Sequence, residues 1–281
     1  MRIPFLKMHG LGNDMMVIDQ RHLAEREKPA LTEALVRTWS DRKTGIGFDQ
    51  LMVIDPPASE DLTASYRIFN ADGGPVEQCG NGVRCVAAAI QASEHPETKE
   101  KLRLGSPAGL ITAEVANDGA VAVDMGVPDF TPAALPMLQS ATQPMYDFVI
   151  DGDIIRAAAV SVGNPHVVVH TDNVATADVA GLGAAMGKSH YFPQGVNVGF
   201  AEVVDRTHVR LRVFERGVGE TRACGTGACA AMVCLRHNNI VDETVEIALP
   251  GGSLMINWRA IDAPVLMTGP ASFAYEGFVF V

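Results

Sequence analysis

"EQCGNGVRC" at Glu77–Cys85 and "RACGTGACA" at Arg222–Ala230 write one device twice: Cys-Gly-x-Gly running into a small-residue apolar stretch. The continuations, "VRCVAAAIQAS" and "CGTGACAAMVCLRH", read as helices that are apolar on most sides and therefore buried. The repetition extends outward from them. Phe69 lies ten residues before Cys79, and Phe214 ten before Cys224. "ASYRIFNADG" parallels "HVRLRVFERG", "GIGFDQLMVID" parallels "FPQGVNVGFAEVVD", and "GLGNDMMVID" parallels "VSVGNPHVVVHTD". Asn13 precedes Cys79 by 66 residues and Asn164 precedes Cys224 by 60. Several matches in one order point to a duplication, two similar α/β halves expected to face each other across a cleft.

Between the repeated blocks the chain reads as short β runs with Gly turns, plus a helix over "PALTEALVRTWSDR". "DFTPAALPMLQSATQP", with three prolines, reads as an inter-domain connection. The 281 residues suit one large domain or two ordinary ones. With 47% hydrophobic and 20% charged residues, the composition is that of a globular protein. A net charge of −11 and no Lys/Arg block argue against nucleic-acid or anionic-membrane surfaces. There is no signal-peptide pattern and no run of membrane-spanning length, so a cytoplasmic protein is expected. Five cysteines in a reducing compartment are free thiols.

A Gly-x-Gly at a helix start presents backbone N–H groups without obstructing side chains, and the helix dipole favours an anion there. A cysteine at that end is expected to have its thiol pKa lowered. Two such thiols on opposite faces of one carbon suit removal of a proton from one side and delivery to the other. That is racemisation or epimerisation, with the helix ends stabilising the carbanion. Cys85, Cys229 and Cys234 fall inside the apolar helices and read as core. A zinc site lacks ligand spacing, and a nucleotide site lacks both the Walker Lys-Ser/Thr and G-x-G-x-x-G. A redox pair of Cys79 and Cys224, or a non-catalytic amino-acid-binding module, stays open as a rival.

Asn13, Asn70, Asn164 and Asn197 stand at Gly-containing turns beside strand ends. Singly, each reads as a turn residue in left-handed geometry; in matching places of two halves, they read as ligand-facing amides. Glu215 and Arg216 are an exposed ion pair or, beside a carboxylate site, a bidentate contact. His166 is a satisfied core histidine or a partner that sets a thiol's protonation state.

"MHGLGND", "TGIGFDQ", "FNADG", "EQCGNGVRC", "GNPH", "ERGVGETRACGTGA" and "GGSLMINW", in order from near the N-terminus to the C-terminus, resemble the diaminopimelate epimerase family. The resemblance implies an isomerase that needs no cofactor and no metal. Its small-molecule substrate would be 2,6-diaminopimelate, interconverted between the LL and meso forms for lysine and peptidoglycan-precursor synthesis. Cys79 and Cys224 would be the catalytic thiol/thiolate pair, with His166 and Glu215 tuning them. Gly80, Asn81, Gly225 and Thr226 would hold the reacting carboxylate. Asn13, Gln50, Asn70, Asn164, Asn197, Glu215 and Arg216 match substrate-contacting positions. The implied fold is α/β of α+β type, two pseudo-symmetric domains, each a curved, mostly antiparallel sheet wrapped around a central helix. The halves would be residues 1–124 plus 270–281, and 125–269, with the active site in the cleft between them. Tyr275, in "AYEGFVF", matches a dimer-interface position, so a homodimer is expected.

Overall fold

The structure, a computed structural model, describes residues 2–76, 79–94 and 101–280; Glu77 and Gln78 of the first Cys-Gly stretch lie outside the described residues. Along the chain run β1 (Arg2–Gly10), β2 (Asn13–Asp19), α1 (Glu33–Ser40), β3 (Gln50–Asp55), β4 (Ala64–Asn70), β5 (Pro75–Val76) and α2 (Gly80–Glu94). Then follow β6 (Leu102–Ser106), β7 (Gly109–Val115), β8 (Ala120–Asp124), β9 (Tyr146–Ile150), β10 (Asp153–Ser161), β11 (Pro165–His170) and α3 (Val179–Gly187). The last elements are β12 (Asn197–Val203), β13 (His208–Glu215), β14 (Gly219–Thr221), α4 (Gly225–His237), β15 (Thr244–Leu249), β16 (Gly252–Asn257), β17 (Leu266–Pro270) and β18 (Ser272–Phe280).

The chain divides into two compact units, Met1–Val123 with Gly269–Val281, and Asp124–Thr268. In the first unit, β18 pairs antiparallel with β1, β1 antiparallel with β2, β2 parallel with β3, and β3 antiparallel with β4. β4 takes β5 antiparallel and β6 parallel, and the antiparallel run β6–β7–β8 continues. The second unit has the same plan. β9 pairs with β10, β10 with β11, β11 parallel with β12, and β12 with β13. β13 takes β14 antiparallel and β15 parallel, and β15–β16–β17 continue antiparallel. The duplication read from the cysteine stretches is therefore a duplication of strand order and direction. One difference stands out: the edge strand that opens the second unit is β9, whereas the first unit borrows its counterpart, β18, from the far end of the chain.

Each sheet packs on its own buried helix. From Gly80 to Ile90, and from Gly225 to Leu235, every α2 and α4 residue is buried. Ala, Gly and Cys dominate both stretches, and such short side chains let strands approach from several sides. The outer helix α1 is opened by Thr32, whose hydroxyl accepts from the Leu35 amide at 3.2 Å. Its Val36 and Trp39 pack on Ile3, Phe5, Met16, Ile18, Leu51 and Val53. The β1–β2 hairpin turns through Leu11 and Gly12, both left-handed (φ 55° and 79°), the two-residue geometry that matches strand twist.

The Pro-rich stretch from Asp129 to Pro144 is not a connector between the units. It lies wholly inside the second, where Leu135 and Met137 join the core with Phe148, Phe192 and Phe200. Its prolines set turns, while the apolar residues between them find a sheet face to cover.

Candidate active site

Cys79 directly precedes α2, and Cys224 is the N-cap of α4. Each sulfur accepts a hydrogen bond from the glycine amide three residues on. Gly82 N–H donates to Cys79 Sγ at 3.4 Å, and Gly227 N–H donates to Cys224 Sγ at 3.3 Å. The sulfur thus fills the place that a Ser or Asp oxygen usually takes at a helix start. The first intrahelical bonds run from Val83 to the Cys79 carbonyl (2.9 Å) and from Ala228 to the Cys224 carbonyl (3.0 Å). The amides of Gly80, Asn81, Gly225 and Thr226 precede those bonds and belong to the helix ends. The second glycine of each motif also serves close packing. A Cβ on Gly227 would lie 2.9 Å from Val213 Cγ2, and one on Gly82 would lie 2.7 Å from Met52 Cε.

In the first unit, Cys79 is half-buried and its thiol reaches Asn13 Oδ1 at 3.8 Å. Asn13 Nδ2 faces Asp49 Oδ2 at 3.5 Å, and Asp49 accepts the Asp14 amide at 2.9 Å and pairs with Arg42 at 2.7 Å. Arg42 also pairs with Asp14, which holds the buried Lys7. Reversing the Asn13 amide would set its oxygen against the Asp49 carboxylate, so this charge cluster fixes which end faces sulfur. Gln50 and Asn70 sit opposite each other across β3 and β4, and Gln50 Nε2 donates to Asn70 Oδ1 at 3.1 Å. Gln50 Oε1 is buried with no hydrogen-bond partner. The cluster of Lys7, Asp14, Arg42 and Asp49 was not expected from the sequence; its signs were Asp14 in "MHGLGND" and Asp49 in "TGIGFDQ".

In the second unit the polar groups form a chain. His166 Nε2 lies 3.0 Å from Asn164 Oδ1, Asn164 Nδ2 donates to Thr226 Oγ1 at 3.5 Å, and Thr226 Oγ1 lies 3.5 Å from Cys224 Sγ. Because Asn164 turns its amine toward Thr226, its oxygen faces His166, and Nε2 is the protonated ring nitrogen. His166 is fully buried and Nδ1 has no partner. Burial, and then the Arg216 charge, push its pKa down to about 3, so the ring is neutral at physiological pH. Asn197 clamps the turn from both sides: Nδ2 donates to the Pro165 carbonyl at 2.9 Å, and Oδ1 accepts the Arg216 amide at 2.9 Å. The exposed Arg216 donates to the Gln194 carbonyl at 3.1 Å. Glu215 accepts from the Thr221 hydroxyl and hydrogen-bonds Cys224.

The thiol electrostatics correct one expectation. The helix end was expected to lower the cysteine pKa; at Cys224 the pKa is raised well above its ordinary value. Burial is the larger cause and the Glu215 carboxylate the second, and together they outweigh the Thr226 and Gly227 donors. Burial also raises Glu215 above the usual carboxylate range. These surroundings favour the thiol form of Cys224 at neutral pH. Cys85, Cys229 and Cys234 are buried in their helices, and burial pushes Cys85 up to about 12. Among the described residues, no group of three His, Cys, Asp or Glu side chains is arranged to hold a metal ion. No described helix is long and apolar enough to cross a membrane.

With this geometry in view, the comparisons with known proteins converge. The sequence pattern of the family described as diaminopimelate epimerase matches residues 5–131 and 158–274. The chain is 47% identical to the diaminopimelate epimerase of Ectopseudomonas mendocina and 48% identical to that of Pseudomonas entomophila, each over 99% of both chains. It is 46% identical to the same enzyme of Nitrosomonas europaea, again over 99% of both. In fold it is similar to a hydroxyproline epimerase from Agrobacterium vitis (TM-score 0.69, 16% identity, 99% of this chain and 92% of that one). It is also similar to a phenazine biosynthesis protein of the PhzF family from Bacillus anthracis (TM-score 0.68, 16% identity, all of both chains).

Proposed function

The chain belongs to the diaminopimelate epimerase family, an isomerase family, and we propose that it interconverts LL- and meso-2,6-diaminopimelate by proton transfer between one α-carbon and the thiols of Cys79 and Cys224. One thiolate removes the α-proton, and the opposite thiol delivers its own to the other face. The two sulfurs exchange roles when the reaction runs backward. The observation that carries this reading is the matched pair of cysteine-capped helix starts, one in each unit, each sulfur taking a glycine amide.

The helix-start amides of Gly80, Asn81, Gly225 and Thr226 bind the reacting carboxylate and absorb the charge that develops on it. Glu215 accepts the Cys224 proton as substrate enters, while the neutral His166, acting through Asn164 and Thr226, holds a donor toward that sulfur. Asn13, Gln50, Asn70, Asn164, Asn197, Glu215 and Arg216 contact substrate, several of them at its distal amino-acid end. A reducing cytoplasmic setting suits thiols that must stay free. The partner we assign is a second copy of this chain, docked through the β18 face that carries Tyr275.

The test is α-hydrogen exchange in deuterium oxide with LL-diaminopimelate. Wild type is expected to incorporate solvent deuterium, and Cys79→Ser or Cys224→Ser to slow turnover by about a thousandfold or more, because a hydroxyl is a far poorer base. Wild-type exchange by a Cys79→Ala, Cys224→Ala double variant would falsify the assignment. Reversible disulfide formation without any exchange would favour a thiol redox protein.

A further inference from the structure

Arg84 is fully buried in the first turns of α2, a cation among Val83, Cys85, Val86 and Ala87. It stands five residues after Cys79; the residue five after Cys224 is Cys229, buried and apolar in character. The duplication therefore does not account for it, and neither does the proton transfer. Among the described contacts, its guanidinium donates to three oxygens. Nη2 donates to Asn81 Oδ1 at 2.8 Å, Nη1 to the Gly80 carbonyl at 3.3 Å, and Nε to the Pro270 carbonyl at 3.2 Å. Asn81 is itself buried, one helical turn back on the same face.

A guanidinium has donors and no acceptor, so it can face only the oxygen end of the Asn81 amide. The donor end, Nδ2, is thereby turned away from Arg84. In the second unit the equivalent residue, Thr226, is oriented differently, by Asn164 and Cys224. The neighbouring strand is shaped around the pair: a Cβ on Gly10 would lie 3.0 Å from Arg84 Nη2 and 3.1 Å from Asn81 Cβ. The Pro270 contact ties the approach to β18, from the far end of the chain, to the start of the helix that carries the site.

We propose that Arg84 is a positioning residue for the carboxylate-holding end of α2: it sets the Asn81 amide so that Nδ2 donates to the reacting carboxylate. The proposal rests on the epimerase reading. A wild-type protein that exchanges no α-hydrogen removes that reading before any Arg84 variant is compared.

The experiment is a double-mutant cycle on the full chain, with kcat and KM for LL-diaminopimelate and thermal melting measured for Arg84→Met, Asn81→Ala and the double variant. Each single change is expected to lower kcat/KM by about tenfold to a hundredfold, the loss of one charge-assisted hydrogen bond. The double variant is expected to be no worse than Asn81→Ala, since Arg84 would have nothing left to orient. Losses that multiply, or an Arg84→Met protein with wild-type kcat/KM, would overturn the proposal. If Arg84→Met does not fold, Arg84→Lys keeps a buried cation, and the cycle is read between Arg84→Lys and Asn81→Ala by the same criterion.

Discussion

The Thr226 hydroxyl lies 3.5 Å from the Cys224 sulfur, and its oxygen already accepts from Asn164 Nδ2. Its proton is thereby directed at sulfur, which makes Thr226 a donor that favours the thiolate even while burial and Glu215 oppose it. Thr226→Val keeps the shape and removes the donor. We expect turnover to fall by about tenfold to a hundredfold, with Thr226→Ser retaining most activity. Equal rates for the Val and Ser variants would show that the hydroxyl does nothing to the thiol.

Stability should be greatest between about pH 6.5 and 9. His166 ordinarily titrates near 6.5 but is held down to about 3 in the fold. Below pH 6.5 the unfolded chain gains a proton that the folded chain refuses, so stability is lost as pH falls toward 3. Glu215, raised by burial, works in the opposite sense and softens the bottom of that decline. On the alkaline side, Cys85, Cys224 and Cys234 are all raised above 9.0 by burial. The unfolded chain sheds those protons first, so stability is lost as pH rises past 9. Melting temperatures from pH 3 to 10 check both limbs, and a shallower acid limb is expected for His166→Asn.

Alanine should be worse at Gly227 than at Gly82. The new Cβ at Gly227 meets Val213, a β-branched strand residue with little room to turn, as well as the Cys224 sulfur at 3.2 Å. At Gly82 it meets Met52 at its sulfur and terminal methyl, the mobile end of a flexible side chain. We expect Gly227→Ala to cost about 1–3 kcal/mol in urea unfolding and Gly82→Ala to cost less. The reverse order would contradict the packing argument.

The proposed dimer has its support on β18. Phe273, Tyr275 and Phe278 are about half exposed and Phe280 is 77% exposed, with Tyr275 edge-on to Phe5. Aromatic area of this kind is enriched where chains meet. Tyr275→Asp with Phe280→Asp is expected to sediment as a monomer where wild type sediments as a dimer. A wild-type monomer, or an unchanged dimer in the variant, would remove the proposal.

Much of the fold is legible in the amino-acid sequence alone. The α/β class and the duplication followed from repeated blocks in a common order, because strand alternation and turn glycines are local properties of the chain. The residues at the two helix starts were legible for the same reason, since Cys-Gly-x-Gly places a thiol beside open amides wherever it begins a helix. The Pro-rich stretch misled, because its prolines are a local signal and its burial is not.

The sequence by itself determined the family, the repeated strand plan and which two thiols stand at helix starts. Only the tertiary structure decided that β18 completes the first unit and that burial beside Glu215 favours the thiol form of Cys224. It alone joined His166 to that sulfur through Asn164 and Thr226, and gave Arg84 to Asn81. Desolvation and charge act through space, between residues that lie far apart along the chain. A protonation state is therefore set by what surrounds a thiol once the sheet has closed on its helix.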